Sequence, residues 1–257
     1  MLSLISPAKS QTFEHRPSTK DFTQPMFVVE TAKIVNKLKH YSPAELAELL
    51  KISPKLAEAA FDKYIQFDPT HYHLTNAKQA LFAFNGDVYR SLDAASLQQG
   101  QIQFAQKHLM MFSGLYGLLR PLDLIQPYRL EMAAKFGIDN LSLYDFWQPL
   151  ITAKLNAVMA KHNQKIIVNL ASHEYSKVVD QKTITAQWVD VDFKEFCEGK
   201  YRTIGLYAKR ARGRMARFIL DHHIDALEDI KSFNDGNYRF NPDFSTSSHL
   251  CFTRPKP

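Results

Sequence analysis

Apolar runs of strand length alternate with stretches of helical spacing along this chain. Leu2–Ile5 is apolar at every position but one. It stops at Ser6-Pro7, a capping residue followed by the residue best suited to a first helical turn. Positions 10–25 are polar and irregular. Helical spacing returns over Met26–Lys39, Pro43–Leu50 and Pro54–Tyr64. The last two start with Ser-Pro, at Ser42-Pro43 and Ser53-Pro54, and only Lys51-Ile52-Ser53 separates them. A helix is predicted over Asn76–Ala83, a turn at Asn85-Gly86-Asp87 with Asp87 on it, a helix over Gln101–His108 and a buried strand over Leu109–Phe112. Phe146, Leu150, Ile151, Leu155, Val158 and Met159 fall on one side of a helix over Tyr144–Lys161. Lys165–Leu170 reads as a central strand. β-Branched and aromatic content marks Thr183–Phe193 and Tyr201–Tyr207 as strands. A helix over Ala208–His223 and short strands near Tyr238–Phe240 and Leu250–Thr253 complete the pattern. The interleaving has no regular βα rhythm, no repeat and no Pro/Gly/Ser-rich linker. The expected class is therefore α/β, in the mixed α+β sense: one domain over 1–257 with a mixed sheet surrounded by helices. A chain of 257 residues is long enough to bury a large core.

Ser113–Met132 fits none of these patterns. Arg120, Asp123, Arg129 and Glu131 stand singly among leucines, with Pro121 and Pro127 inside the stretch. A surface helix would cluster its apolar residues and would not carry those prolines. A buried unpaired charge costs several kcal/mol, so partners are expected, some of them among the opposite charges of the segment itself. Two readings stand: a structural ion-pair network, or a proline-braced loop that presents charges to a functional site.

Composition narrows the setting. No apolar run approaches the ~18 residues of a membrane span. The amino-terminal residues lack a basic leader. Only Cys197 and Cys251 are present, with no CxxC, which suits unpaired thiols in a reducing cytoplasm. The net charge of +6 is locally concentrated, because Lys209, Arg210, Arg212, Arg214 and Arg217 occur without an intervening acid. Such a patch points to an anionic partner. On a helical wheel Ala208, Ala211, Met215, Phe218, Ile219 and His222 form an apolar face. Arg210, Arg214 and Arg217 lie opposite, as a solvent-facing stripe suited to phosphates or simply to water. Lys209 and Arg212 flank the apolar face and are placed to enter a cleft. Gly213, costly inside a helix, implies close approach of another backbone or a ligand. The paired helices within about 43–64 look like a helix-hairpin-helix element without its usual Gly-x-Gly, and Lys51 and Lys55 are its candidate DNA contacts.

Chemistry at strand ends is the other signal. Asn169-Leu170-Ala171-Ser172-His173-Glu174-Tyr175 follows one strand as Ser6-Pro7-Ala8-Lys9 follows another. Ligands of open α/β sheets gather at such carboxyl ends. If the two strands are parallel neighbours, Lys9, Ser172 and Glu174 converge. Alternatively, Ser6 and Ser172 are caps and Glu174 is a favourable first-turn acid. There is no Walker loop, G-x-G-x-x-G, G-x-S-x-G or HExxH. His71-Tyr72-His73 could bind a metal, and His223-x-Asp225 matches the His-x-Asp half of an iron triad. No second His can be assigned to complete it, so surface histidines are the default and no metal site and no cofactor are expected.

Six strings occur in order: Ile5-Ser6-Pro7-Ala8-Lys9; Phe84-x-Gly86-Asp87-Val88-Tyr89; Ser113–Asp123 (Ser-Gly-Leu-Tyr-Gly-Leu-Leu-Arg-Pro-Leu-Asp); Gln126–Met132 (Gln-Pro-Tyr-Arg-Leu-Glu-Met); Asn169-Leu170-Ala171-Ser172-x-Glu174-Tyr175; and Tyr207-Ala208-Lys209-x-Ala211-Arg212-Gly213. Together they resemble the bacterial peroxide stress protein YaaA family over essentially the whole chain. The resemblance implies a cytoplasmic protein that protects cells from hydrogen peroxide, lowers free intracellular iron and binds DNA through a helix-hairpin-helix and a positive cleft. It brings no catalytic residues. The alternative, read from the residues, is an enzyme acting on a phosphorylated or nucleotide-like ligand. Its candidate residues are Lys9, Asp87, Arg120, Asp123, Arg129, Glu131, Asn169, Glu174, Lys209 and Arg212. The expected partners are DNA, held without sequence preference, or a small phosphorylated ligand, with no membrane and a monomeric chain.

Overall fold

The computed structural model describes residues 1–14, 17 and 19–256, so positions 15, 16 and 18 of the polar 10–25 stretch, and position 257, lie outside the described residues. The chain begins with β1 (Leu2–Ile5), α1 (Val28–Leu38), α2 (Pro43–Leu50), α3 (Pro54–Gln66), β2 (Lys78–Gln79), α4 (Ala80–Ala83), α5 (Asp87–Leu92) and α6 (Gln99–His108). It continues with β3 (Leu109–Ser113), β4 (Gly117–Leu119), β5 (Leu124–Ile125), β6 (Gly137–Ile138), β7 (Leu141–Ser142), α7 (Leu143–Met159), β8 (Ile166–Asn169) and α8 (His173–Ser176). It ends with β9 (Gln187–Cys197), β10 (Lys200–Arg202), α9 (Gly205–Asp221), α10 (Leu227–Ile230), β11 (Arg239–Phe240) and β12 (His249–Pro255). No helix among the described residues is long and apolar enough to cross a membrane.

The main sheet runs β11-β12-β9-β8-β1-β3-β4, with β10 attached to β9. Its five central strands, β12, β9, β8, β1 and β3, are mutually parallel, and β11, β4 and β10 are antiparallel additions. Ser3 pairs with Val168 on one side and Leu109 on the other. The mixed sheet surrounded by helices is thus as expected. β1 is buried along its whole length, which suits its apolar run of Leu2, Leu4 and Ile5, broken only by the buried Ser3. The buried apolar side chains of the sheet and helices form one contiguous cluster. From β1 the chain leaves toward β3, whereas from β8 it leaves toward β9. The strand order therefore reverses between β1 and β8, and this is where an open α/β sheet leaves a crevice at the carboxyl ends of its strands.

Three predicted elements differ in the structure. Asn76–Ala83 is not one helix. Lys78 and Gln79 pair antiparallel with Ile125 and Leu124, and the buried Gln79 amide donates to the carbonyls of Thr19 and Asp21. Only Ala80–Ala83 is helical. The partner strand lies too far along the chain for local periodicity to reveal it. Tyr201–Tyr207 is not a strand either. β10 ends at Arg202, and the buried Glu195 carboxylate accepts the Ile204 N–H at 3.3 Å as α9 begins at Gly205. The third is the strand expected from Thr183, which starts at Gln187 because Thr185 is drawn to the Asn156 side chain of α7 (2.9 Å).

α2 and α3 are joined by three residues, with Lys51 in the left-handed region (φ 51°). Ser42 and Glu45 form a reciprocal cap at the start of α2.

The unusual segment, Ser113–Met132, is buried almost throughout, and it supplies its own counter-charges. Asp123 is fully buried. Its carboxylate accepts from the Arg120 backbone N–H (2.8 Å), Arg120 Nε (3.1 Å), Arg120 Nη2 (2.8 Å) and Thr23 Oγ1 (2.6 Å). Arg120 Nη2 also donates to the Gln24 carbonyl at 2.9 Å. The pair ties the polar 10–25 stretch onto the loop between β4 and β5. Burial raises the Asp123 pKa, and Arg120 opposes the rise. The second pair, Arg129 and Glu131, stands 3.0 Å apart.

Candidate functional site

A cleft of about 320 Å³ opens at the β1–β8 crossover point. One wall follows β1 and carries Ser6–Ser10. The second follows β8 and carries Leu170, Ser172, Glu174 and Tyr175. The third comes from Asn85–Arg90, at the start of α5, and the fourth from Lys209 and Arg212 of α9. The first two walls are laced together, since Ser6 Oγ accepts the Ser172 N–H at 2.8 Å and Leu170 N–H donates to the Leu4 carbonyl at 2.8 Å. Ser6 is therefore a bridge between loops rather than a helix cap. Tyr89 donates to the Ser6 carbonyl at 2.9 Å. Burial pushes the Tyr89 and Tyr175 phenols above their ordinary pKa, so both stay neutral hydrogen-bonding groups and not bases.

α9 enters the cleft because its small residues let α5 come close. A Cβ on Gly213 would overlap the Val88 carbonyl oxygen of α5, which is the backbone approach that the glycine implied. α9 is consequently covered on two sides, with Ala208, Ala211, Gly213, Met215, Ala216, Ile219 and Leu220 buried. This corrects the simple two-faced wheel: His222 lies beyond the helix and is exposed. The solvent-facing stripe is corrected as well. Arg217 is half-buried, bonds Asp221 at 2.7 Å and donates to the carbonyl of Asp93 at 3.1 Å. Arg214 pairs with Asp235 at 3.2 Å. Only Arg210 remains exposed, and it lies 3.6 Å from Asp87. A helical wheel shows which residues share a face, but not that a neighbouring helix covers it. Lys51 and Lys55 are exposed on the α2–α3 pair.

Of the ten cleft candidates, Lys9, Asp87, Glu174, Lys209 and Arg212 meet in this cleft. Arg129 and Glu131 line an adjoining crevice that shares Pro7, Ala8, Lys9 and Tyr175 with it. Lys9 Nζ reaches to 3.8 Å from Glu131 Oε1 and links the two. Arg129 Nε is buried near Glu131 but out of line for a hydrogen bond. Asn169 acts from behind: it donates to Asp190 at 2.7 Å and accepts the Ala171 N–H at 3.0 Å, shaping the loop that forms one wall. Arg120 and Asp123 belong elsewhere. They form the structural pair described above, and Arg120 borders a different cleft.

Sequence reasoning missed Arg90, which bonds Asp87 at 3.1 Å inside the cleft, and the acids beneath Arg212. Arg212 is half-buried, and its Nε is buried without a hydrogen-bond partner among the described residues. Burial lowers its pKa from the ordinary value, against the opposing charges of Asp192 and Asp190. Asp192 is engaged by His249 at 3.0 Å, and Asp190 by Asn169 and Trp188. No spacing in the sequence ties these acids to α9. The cleft is thus basic at Lys9, Lys209, Arg90 and Arg212 and acidic at Asp87 and Glu174, and it leaves the Arg212 Nε donor unsatisfied among the described residues.

Fold and cleft define an α/β protein with a charged crevice at the switch point of its sheet. The chain belongs to the family described as peroxide stress protein YaaA, which it matches over residues 1–244. A role in peroxide stress follows from that membership. A "UPF0246 protein" of Francisella tularensis subsp. novicida is 52% identical over 254 residues, covering 99% of this chain and 100% of the relative. One from Francisella philomiragia subsp. philomiragia is 51% identical over the same shares of both chains.

Proposed function

We propose that this protein serves the peroxide stress response by binding phosphates of DNA, without sequence preference, at the cleft between β1 and β8, and that it limits free intracellular iron. The observation that carries the binding reading is the Arg212 guanidinium: half-buried at a strand-order crossover, with Nε lacking any hydrogen-bond partner among the described residues. An anion supplies what that group lacks. Lys9 and Lys209, both exposed, add flexible cations at the rim, and Lys51, Lys55 and Arg210 extend the contact over the surface. Arg214 and Arg217 drop out of the contact set, because they are half-buried as well as held by acids, whereas Arg210 stays exposed beside Asp87.

Duplex binding should weaken steeply with salt, since each neutralised phosphate releases counterions. A Lys209→Ala/Arg212→Ala variant should lose about two phosphate contacts, which lowers the slope of log K against log salt by roughly 2. Fluorescence anisotropy of a labelled duplex across a salt series measures both. A salt-independent affinity, or an unchanged slope in the double variant, overturns the reading. For iron, loss of the protein should raise EPR-detectable free iron in peroxide-treated cells, with no rescue by the double variant.

A second reading, an enzyme acting on a nucleotide-like phosphorylated ligand, is favoured by one observation. The cleft is small and carries Asp87 and Glu174 among its cations, as acid–base chemistry requires and DNA binding does not. Tight binding of mononucleotides with weak binding of duplex would select it.

A further inference from the structure

We propose that His108, His162 and Asp225 form a binding site for one divalent first-row transition-metal ion. The site lies at the amino ends of the central strands, opposite the cleft at their carboxyl ends. His108 immediately precedes β3, Met1 precedes β1 and His162 lies just before β8, so all three mark the amino ends of adjacent parallel strands. Asp225 arrives from the segment after α9. One donor atom from each of His108, His162 and Asp225 lies within 4.8 Å of the other two, a separation that small side-chain shifts close to coordination distance.

Two further observations support it. The rings are held in place: His108 stacks on Phe104 with centroids 4.0 Å apart and meets His162 edge-on at 5.0 Å. The three side chains also surround one terminus, Met1, whose carbonyl lies 2.9 Å from His108 Nδ1. The Met1 ammonium bonds Asp225 there and lies 3.4 Å from His162 Nδ1. A metal ion takes that position, with the amine moved aside.

Chemistry selects the metal. Two imidazoles and one carboxylate suit Fe²⁺, Co²⁺, Ni²⁺ and Zn²⁺, whereas Mg²⁺ and Ca²⁺ prefer oxygen donors. Lys107 and Lys161 line the same cleft of about 430 Å³. Their charge disfavours any ion bound by electrostatics alone, and it favours an anion or hydroxide in the open coordination positions. The cleft opens to solvent, which provides an entry path. The inference does not depend on the DNA reading.

Anaerobic titration of the purified chain with Co²⁺, followed by its visible absorption and by calorimetry, tests the site. One Co²⁺ per chain is expected, displaced by Zn²⁺ and unaffected by excess Mg²⁺. His162→Gln and Asp225→Asn should each weaken uptake by about tenfold or more, since even outer-shell changes cost metal sites about 10–100-fold. Asp225→Asn also removes the anchor of the amino terminus, so His162→Gln, which leaves that contact in place, is the decisive variant. Circular dichroism confirms its fold. Absence of stoichiometric uptake, or equal uptake by wild type and His162→Gln, overturns the proposal and leaves the cluster as an anchor for Met1.

Discussion

Asp123→Ala lowers the unfolding free energy by about 3–5 kcal/mol, the cost of breaking a buried ion pair from one side. The substitution strips four donors of their acceptor: the Arg120 backbone N–H, its Nε and Nη2, and the Thr23 hydroxyl. It also leaves a guanidinium two-thirds buried with no carboxylate beside it. In a chain of this size the melting temperature should fall by roughly 10 °C, at about 2–4 °C per kcal/mol. Thermal and urea unfolding measure the loss. A double-mutant cycle with Arg120→Ala sharpens the result, because the double variant should cost clearly less than the sum of the single ones. A drop under about 1 kcal/mol would mean that the pair does not hold the loop.

Gly213→Ala acts at the α5–α9 contact. Its methyl group would overlap the Val88 carbonyl and come within 2.9 Å of Ser91 Cβ, and backbone cannot rotate away as a side chain can. Overpacking of this kind costs about 1–3 kcal/mol, against a gain of about 1 kcal/mol in helix propensity. The larger effect falls on the cleft. α5 carries Asp87 and Arg90, so pushing it outward separates that wall from Lys209 and Arg212. Anion or duplex binding should therefore fall by more than the stability change explains. Gly100→Ala on α6 is the control, because nothing lies within 4 Å of its new Cβ. It should be neutral or stabilising. Equal behaviour of the two variants in unfolding and in binding would remove the close contact from the account.

Much of the architecture was legible because it rests on local rules. The mostly apolar β1, the Ser-Pro starts of α2 and α3 and the apolar stripe of α7 were all visible as patterns, and each folds as read. The convergence of Lys9 and Glu174 was legible too, conditional on parallel neighbours, which β1 and β8 are. What escaped depended on partners distant in sequence. Lys78-Gln79 takes its conformation from Leu124-Ile125, and Arg214 and Arg217 lose their freedom to Asp235 and Asp221. Arg120 and Arg129 look equivalent in the sequence. Yet Arg120 locks a loop with Asp123, while Arg129 borders the cleft beside Glu131. His108 and His162 showed no ligand spacing at all, since strand order and not chain order brings them to Asp225.

The sequence by itself determined the class of fold, the family and the charge types that a binding site would use. These follow from hydrophobic spacing, capping residues and ordered motifs, all properties of neighbouring residues. Only the tertiary structure decided which charges neutralise one another and which remain free to meet a ligand. That choice depends on burial and on distances of a few ångströms between segments far apart in the chain. The Coulomb and desolvation terms that govern it vary steeply over such distances.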